Sequence, residues 1–141
     1  MNLQHLGVFI VIIDKSKLKI LLGKRKNSYH AGTYGFPGGR LDVHESLINC
    51  GKRELLEETG LIANKLKYLC VIRELQENFN FIHFAYLCSD YTGIPHVMEK
   101  NKCDSWTWYA LDKLPKNILP AHKIAINLLV HSDFPRIYDL I

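Results

Sequence analysis

The sequence lacks the features that would place the protein in a membrane or in a secretory pathway. The apolar run that begins at Leu6 ends at Asp14, and the later run that begins at Phe81 is broken by His83. Neither run approaches the roughly 20 apolar residues that a membrane-spanning helix needs. The first residues also carry neither the basic stretch nor the apolar core of a secretory signal. We therefore expect a cytoplasmic protein that has no membrane partner.

Paired cysteines and clustered positive charge are also absent. The four cysteines are Cys50, Cys70, Cys88 and Cys103. None of them forms a C-x-x-C pair, which argues against a zinc site or a redox motif, so we expect small core residues in a reducing compartment. The formal net charge is only +4, without the basic stripe that nucleic-acid binding requires. We therefore expect no stable nucleic-acid partner, although this charge would suit small anionic substrates.

The chain does contain enough apolar material for one core. Of its 141 residues, 48% are hydrophobic, and this length and composition are typical of one globular domain. No internal repeat, linker or low-complexity segment divides the sequence. We therefore expect a single domain over residues 1–141.

Apolar runs predict strands that come in hairpins, with helices between or after them. The predicted strands are residues 6–13, 18–22, 66–75, 79–88 and 105–110. Residues 23–39 contain several glycines and a proline, which predict a loop that is able to approach a ligand. This order favours an α+β fold, an α/β/α sandwich on a mixed sheet, over a doubly wound parallel sheet.

Local signals place two helices. Ser46 is a suitable N-cap, helix-forming residues follow it, and Gly60 suits the left-handed position at which helices end. These signals predict a helix over Leu47–Thr59. Pro120 opens a second helical segment, residues 121–130, whose apolar side chains share one face.

The first of these helices carries a concentration of glutamates. Glu54 and Glu58 lie one turn apart on the same face, and Glu57 lies beside them, so three carboxylates would share one patch. Like charges at this spacing destabilise a helix by roughly 0.2–0.5 kcal/mol, and acids in the last turn oppose the helix dipole. A bound divalent cation would reverse both penalties, and Mg²⁺ prefers such oxygen ligands. A solvated helix face is the alternative.

Glycines precede and interrupt this helix. Gly38 and Gly39 would let backbone groups come close to a phosphate or a metal where a side chain would not fit. Gly51 lies inside the helix, where glycine costs roughly 1 kcal/mol relative to alanine, and we expect it to allow close packing on the sheet. Glu45 lies at the start of the helix, away from Glu54, and joins the cluster only if the loop folds inward.

Residues 39–61, GRLDVHESLINCGKRELLEETGL, resemble the Nudix box of the Nudix hydrolase family. All fixed positions are present: a glycine, five residues, a glutamate, seven residues and then R-E-U-x-E-E-x-G-U, where U is aliphatic. LLGKRK at 21–26, TYGFPGGRLD at 33–42 and SWTWYALDKLP at 105–115 are similar to the MutT-like nucleoside triphosphate diphosphatases. The resemblance spans roughly residues 6–130. It implies the family's α/β/α sandwich, in which the box forms a loop-helix-loop metal site.

The resemblance also implies roles for individual residues. The metal ligands would be Glu54, Glu57, Glu58 and the backbone carbonyl of Gly38. The catalytic set would be Arg53, Glu54 and Glu57, in which Glu54 or a downstream acid activates water and Arg53 orients the glutamates. Arg25, Phe36 and Gly39 would contact the substrate. The implied cofactor is Mg²⁺, for which Mn²⁺ can substitute, the implied partner is a nucleotide, and homodimers are frequent in this branch.

One loop departs from the branch. Related sequences often carry E-P-E-K before the C-terminal strand, whereas this chain has Glu99-Lys100-Asn101-Lys102. Asn101 therefore replaces an acid that would be an auxiliary metal ligand. Glu99 or Asp104 would substitute for it, or would be an ordinary loop charge.

The sequence leaves the base and the exact nucleotide open. Candidates for stacking on a base, or else for core positions, are Tyr34, Phe36, Phe79, Trp106 and Trp108. His30, His44 and His83 show no ligand spacing and are expected to be structural or surface residues. Rival substrates are ADP-ribose, a dinucleoside polyphosphate and capped RNA, and a further rival is a nucleotide sensor without catalysis. The complete box argues against the sensor, and Glu77, which stands where ADP-ribose-specific relatives often have proline, favours a nucleoside triphosphate as the substrate.

Overall fold

The structure, a computed structural model, describes residues 4–27, 30–131 and 136–141. The strands are β1 (Gln4–Asp14), β2 (Lys19–Arg25), β3 (Tyr34–Gly35), β4 (Gly38–Arg40), β5 (Ile62–Gln76), β6 (Phe79–Thr92), β7 (Cys103–Ala110) and β8 (Ile137–Leu140). The helices are α1 (Leu47–Thr59) and α2 (Pro120–Val130). No helix among the described residues is long and apolar enough to cross a membrane. Parts of the predicted domain, residues 1–3, 28–29 and 132–135, lie outside the described residues, and 28–29 belong to the predicted loop.

The strands form one mixed sheet. Its order is β3-β2-β1-β6-β5-β8, with β4 paired to β1 and β7 paired to β2. β1 is parallel to β6 and antiparallel to β2, and β5 and β6 form a long antiparallel hairpin. A mixed sheet with two helices confirms the predicted α+β class.

β1 supplies side chains to two cores, one on each face of the sheet. Phe9 faces the core that α2 covers with side chains such as Ala125. Ile10, the next residue, faces the core that α1 covers with side chains such as Leu55. A strand that is covered on both faces must be apolar at almost every position, which explains the unbroken apolar run in the sequence. The two covered faces give the predicted α/β/α sandwich.

α1 has the boundaries that the sequence predicts. Ser46 accepts the backbone N–H of Asn49 at 3.0 Å through its hydroxyl oxygen. Gly60 ends the helix in the left-handed region, with φ of 78°. Gly51 faces the sheet so closely that an added Cβ would lie 2.7 Å from Cδ1 of Ile10. This confirms the expectation that Gly51 allows α1 to pack closely on the sheet.

Short strands occupy part of the segment that the sequence predicts to be a loop. β2 extends to Arg25, and β3 and β4 follow within the same glycine-rich stretch. The loop prediction was wrong here because it treated glycine only as a strand breaker. β4 pairs with β1 because its glycines lack side chains, since a Cβ on Gly38 would lie 2.4 Å from the carbonyl oxygen of Val8. These glycines therefore permit close backbone pairing.

Strand ends are the other difference. β5 and β6 are longer than predicted, because the residues that extend β6 are mostly polar and exposed and because Asn64 and Lys65 interrupt the apolar pattern at the start of β5. β8 was not predicted at all. It is short, it pairs in parallel with β5, and Ile137 is 75% exposed. Its pairing partner, rather than its own composition, defines it as a strand.

Candidate active site

Two glutamates of α1, Glu54 and Glu58, face Gly38 and Gly39 of β4, and these two glycines are here called the glycine turn. Gly38 donates its backbone N–H to Oε2 of Glu58 at 2.6 Å. Trp106 of β7 donates its indole N–H to the backbone carbonyl of Glu58 at 3.0 Å, which ties the end of α1 to the sheet. Burial, together with the neighbouring carboxylates of Glu54 and Glu99, raises the pKa of Glu58 to about 8. Glu58 is therefore held in place although its charged form is disfavoured, and a nearby cation would relieve this penalty.

Glu54 lies directly beneath the backbone of Gly39. A Cβ on Gly39 would lie 2.4 Å from Cδ of Glu54, so a larger residue would have to displace the carboxyl group. Arg53 donates to Oε1 of Glu54 at 2.9 Å. Burial raises the pKa of Glu54, and Arg53 acts in the opposite direction. Glu54 and Glu58 thus present two carboxyl groups to the same glycine turn.

Arg53 is the centre of an ion-pair network. Its Nε and Nη2 donate to the two carboxylate oxygens of Glu45 at 2.8 and 2.9 Å. Its Nη1 reaches Glu54 at 2.9 Å and Glu57 at 3.3 Å. The hydrogen bonds from Arg53 lower the pKa of Glu45 to about 2. Because Nη2 also donates to the carbonyl oxygen of Arg40 at 3.2 Å, the guanidinium ties the glycine turn to α1.

A cavity of about 340 Å³, here called the acidic cavity, opens beside these carboxyl groups. Its acidic residues are Glu54, Glu58 and Glu99, and its basic residues are Lys24, Arg25, Arg40 and Lys102. Gly38 and Gly39 form part of its wall. Carboxylates flanked by cations suit a ligand that brings both phosphate groups and a divalent cation.

Most of the predicted site residues border the acidic cavity, but Glu57 does not. Those that border it are Arg25, Phe36, Gly38, Gly39, Glu54 and Glu58. Arg53 lies behind them and contacts Glu54. The side chain of Glu57 is 50% exposed and pairs with Arg53. Glu57 nevertheless shares Nη1 of Arg53 with Glu54, at 3.3 and 2.9 Å, so its carboxyl group lies next to that of Glu54 at the exposed edge of the cluster.

The fit of a metal ion rests on the chemistry of these donors. Within residues 4–27, 30–131 and 136–141, no three His, Cys, Asp or Glu side chains are grouped closely enough to hold an ion. The carboxyl groups of Glu54 and Glu58 nevertheless offer the hard oxygen atoms that Mg²⁺ prefers, and Mg²⁺ usually keeps waters and takes substrate phosphates as further ligands. These residues therefore fit a divalent cation that is shared with a phosphate-bearing ligand.

A larger cavity of about 540 Å³, here called the aromatic cavity, adjoins the acidic cavity. Both are bordered by Arg25, Phe36, Gly38, Gly39 and Arg40. Phe79, Phe81, His83 and Glu74 line the aromatic cavity. Of these residues only Phe79 is a ligand-contacting candidate on sequence grounds, and the expected structural or surface role of His83 is corrected to a place in the cavity wall. The alternation of β6, which puts residues 79, 81 and 83 on one face, is the signal that was available.

The other aromatic candidates divide between core and cavity. Phe36 is 4% exposed and its ring stacks on Phe9, with centroids 5.9 Å apart. Most of Phe36 is therefore core, although it borders both cavities. Trp106 borders the acidic cavity, whereas Trp108 and Tyr34 pack against other tyrosine rings.

Glu99 and Asp104, the two acids of the loop that departs from the family pattern, have different surroundings. Glu99 borders the acidic cavity, whereas Asp104 pairs with Lys26 at 3.7 Å. Cys103 also borders the acidic cavity, which corrects the expectation that every cysteine is a core residue. The buried cysteines are Cys50, Cys70 and Cys88. His44 is exposed and borders neither cavity.

A buried histidine connects the glycine turn to α2. Nδ1 of His122 accepts the backbone N–H of Phe36 at 2.8 Å. The ring of His122 is 6% exposed and stacks on Phe9, with centroids 4.1 Å apart. Burial holds the pKa of His122 well below its usual value. His122 is therefore a neutral acceptor that fixes the backbone leading into Gly38.

Comparison with known proteins relates this architecture to one family. The NUDIX domain family model matches residues 3–129. An 8-oxo-dGTP diphosphatase from Buchnera aphidicola subsp. Acyrthosiphon pisum is 31% identical over 88 residues, which cover 62% of this chain and 68% of that protein. An ADP-ribose pyrophosphatase from Methanocaldococcus jannaschii is 47% identical over 51 residues, which cover 36% of this chain and 30% of that protein. The crystal structure of a MutT NUDIX hydrolase from Burkholderia pseudomallei has a TM-score of 0.85 at 30% identity, covering 89% of this chain and 98% of that one.

Proposed function

This chain belongs to the NUDIX family, and we propose that it hydrolyses a nucleoside triphosphate to a nucleoside monophosphate and pyrophosphate with Mg²⁺, or with Mn²⁺ in its place. As a MutT-like Nudix hydrolase it acts on the phosphoanhydride bonds of nucleotides. The pair of partly buried carboxyl groups, Glu54 and Glu58, next to Gly38 and Gly39 carries the proposal. The 8-oxo-dGTP diphosphatase from Buchnera supports a triphosphate substrate, whether unmodified or oxidised.

In this proposal each element of the site has a separate task. Glu54, Glu57, Glu58 and the carbonyl group of Gly38 would hold the metal. When bound, the divalent cation would polarise the attacking water and offset the charge that develops on the phosphate oxygens. Arg25 borders both cavities and would contact phosphate oxygens between them. Arg53 would position Glu54 through their 2.9 Å hydrogen bond.

The proposed reaction is the attack of a water oxygen on one phosphorus of the triphosphate. The new P–O bond forms as the bridging P–O bond breaks, pyrophosphate leaves, and the water proton passes to a carboxylate. The base must lie within hydrogen-bond reach of that water. Glu54 is the favoured base because it borders the acidic cavity, from which the attacking water would approach. Glu99, which borders the same cavity, is the alternative.

An ADP-ribose hydrolase is the second candidate, because the pyrophosphatase from Methanocaldococcus jannaschii is the relative with 47% identity over its matched segment. That segment covers only 36% of this chain, so the similarity is limited to one part of the fold. A dinucleoside polyphosphate would use the same acidic cavity. A nucleotide sensor without catalysis is disfavoured, since every fixed position of the Nudix box is retained.

Product analysis tests the proposed function. The purified protein is incubated with Mg²⁺ and, separately, with unmodified and oxidised nucleoside triphosphates, ADP-ribose and a dinucleoside tetraphosphate, and the products are separated by chromatography. Monophosphate plus pyrophosphate from a triphosphate, absent when EDTA is added, is the expected result. AMP plus ribose 5-phosphate would identify the ADP-ribose activity instead. No metal-dependent product from any substrate would overturn the assignment and favour the sensor.

A further inference from the structure

The aromatic cavity lies where one face of the β5–β6 hairpin extends past its core. Ile72 and Ala85 face the core that α2 covers. Two residues further along each strand toward the turn, Glu74 and His83 continue the same face, and both border the aromatic cavity. The polar side chains thus begin where the cavity begins. Glu74 and His83 therefore line the wall of the aromatic cavity and are not part of the packed core.

Glu74 and His83 form a close and poorly solvated pair. Nε2 of His83 lies 2.8 Å from Oε1 of Glu74, and the two side chains are only 14% and 17% exposed. The bond to His83 is the main reason that the pKa of Glu74 is lowered. Nε2 of Gln76 donates to the same Oε1 at 3.4 Å. A carboxylate in this state can only accept hydrogen bonds, and its two oxygens have capacity for more than these two.

Aromatic rings surround this pair. The ring of His83 stacks on Phe81, with centroids 4.4 Å apart, and Phe79 borders the same cavity. Gly7 beneath them leaves room for the ring, because an added Cβ would lie 2.8 Å from Phe81. Flat rings beside a few fixed polar atoms are the usual composition of a pocket for a planar ligand, and about 540 Å³ is within the ordinary range for small-molecule sites.

The position of the aromatic cavity relates it to the proposed reaction. It shares Arg25, Gly38 and Gly39 with the acidic cavity. A triphosphate whose reacting groups lie at Glu54 and Glu58 would therefore extend its nucleoside across this shared wall. The base would then enter the aromatic cavity, which Glu74 borders.

We propose that Glu74, held by His83, determines base specificity by accepting the adjacent ring N–H and amino N–H groups of a guanine-type base. The proposal deepens the proposed function and rests on it. Guanine offers two neighbouring donors on one edge, which match the two oxygens of a carboxylate. Adenine presents a bare ring nitrogen beside its amino group, and that nitrogen would face the carboxylate as an unpaired acceptor. Inosine keeps the ring N–H of guanine but lacks the amino group.

The test compares dGTP with dITP, because these triphosphates differ only in the amino group. The expected result for the wild-type enzyme is a kcat/KM that is higher for dGTP by about tenfold or more, since a site built around a hydrogen bond rejects the analogue that lacks the donor. In Glu74→Gln, one oxygen becomes an amide that donates, so the dGTP to dITP ratio should fall toward one. Most of this change should appear in KM.

Glu77→Gln is the matched control. Glu77 is exposed in the turn of the same hairpin, so this variant loses the same charge at the rim of the cavity without altering the Glu74–His83 pair. The ratio in Glu77→Gln should remain that of the wild type. An equal fall in both variants would mean that net charge, and not the contact of Glu74, sets the ratio, and it would overturn the proposal. A wild-type ratio near one would also overturn it.

Binding of the products separates this proposal from the proposed function. Calorimetric titration with dGMP and dIMP measures base recognition without turnover. Hydrolysis of triphosphates with no preference for dGMP over dIMP would overturn the role of Glu74 and leave the hydrolase intact. A preference for dGMP that Glu74→Gln abolishes would support that role even if no triphosphate were hydrolysed, in which case only the proposed reaction would fail.

Discussion

Replacing Gly39 by alanine tests the closeness of the glycine turn to Glu54. The added Cβ would lie 2.4 Å from Cδ of Glu54 and 2.5 and 2.6 Å from its carboxylate oxygens, whereas ordinary contact begins at 3.4 Å. The carboxyl group must therefore move by about 1 Å, and such a displacement in a catalytic group costs on the order of a hundredfold in rate. The expected result is a kcat/KM that is lower by about two orders of magnitude.

The stability of this variant should change little. The displaced atoms end a flexible side chain, so the backbone does not have to move. The main loss is the hydrogen bond from Arg53 to Glu54, at 2.9 Å, which contributes about 1 kcal/mol to the free energy of unfolding for a partly exposed pair. The melting temperature should therefore fall by only a few degrees. Steady-state kinetics and thermal unfolding of the same preparation measure both quantities.

Gly38→Ala is the contrasting variant at the neighbouring position. Its Cβ would lie 2.4 Å from the carbonyl oxygen of Val8 and 2.7 Å from Cα of Phe9, which are backbone atoms of β1. We expect a large loss of stability there, because a strand would have to shift. Wild-type kcat/KM in Gly39→Ala would refute the reasoning, and so would a loss of activity that follows unfolding as closely in Gly39→Ala as in Gly38→Ala.

Three further predictions concern the acid, the buried histidine and the helix cap. Glu58→Gln should lower kcat by about a hundredfold or more and raise the Mg²⁺ concentration that gives half-maximal rate, without lowering the melting temperature in EDTA; retained activity would contradict its role. Burial lowers the pKa of His122 in the folded protein, whereas the pKa of an unfolded histidine is about 6.5. Protonation therefore favours the unfolded chain, and the free energy of unfolding falls as the pH drops below about 6.5. Thermal unfolding at about pH 7.5 and about pH 5.5 should therefore show a larger loss for wild type than for His122→Asn, and equal losses would argue against this assignment. Ser46→Ala removes the bond to Asn49 and should lower the free energy of unfolding in urea by about 1 kcal/mol, with kcat/KM close to wild type; no change in stability would refute the capping role.

The helix α1 was predictable because its signals are local. Ser46, Gly60 and the residues between them act within a turn of their own positions, and the structure gives the helix the same bounds. The apolar run of β1 was also predictable as a buried strand, since its composition reflects burial on both faces. In each case, the information lies within the segment itself.

The short strands β3 and β4 were not predictable in this way. Their definition depends on partners that are distant in sequence, as Gly38 pairs with Phe9 and Gly35 pairs with Gly23. Glycine is ambiguous to a local analysis, because the absence of a side chain both weakens a strand and allows the closest approach of two backbones. Only the tertiary pairing decides which effect applies.

The candidate site likewise combines features that are local in the sequence with features that depend on distant residues. Helical spacing places Glu54, Glu57 and Glu58 together, but it does not reveal that Arg53 pairs with the exposed Glu57. Glu74 is also invisible to motif analysis. Its importance in the proposal comes from a neighbour on another strand and from a cavity that two elements enclose.

The glycines explain why the fold and the acidic cavity depend on the same contacts. Gly38 lies against the backbone of β1 and donates its N–H to Glu58 on α1. Gly39 covers the carboxyl group of Glu54, while Gly51 lets α1 approach Ile10 of β1. A side chain at Gly38 would push β4 away from β1, one at Gly51 would press on Ile10, and one at Gly39 would displace the carboxyl group of Glu54. Because the distance between α1 and β4 sets the position of both carboxyl groups, close packing around these glycines is itself a condition for the proposed chemistry.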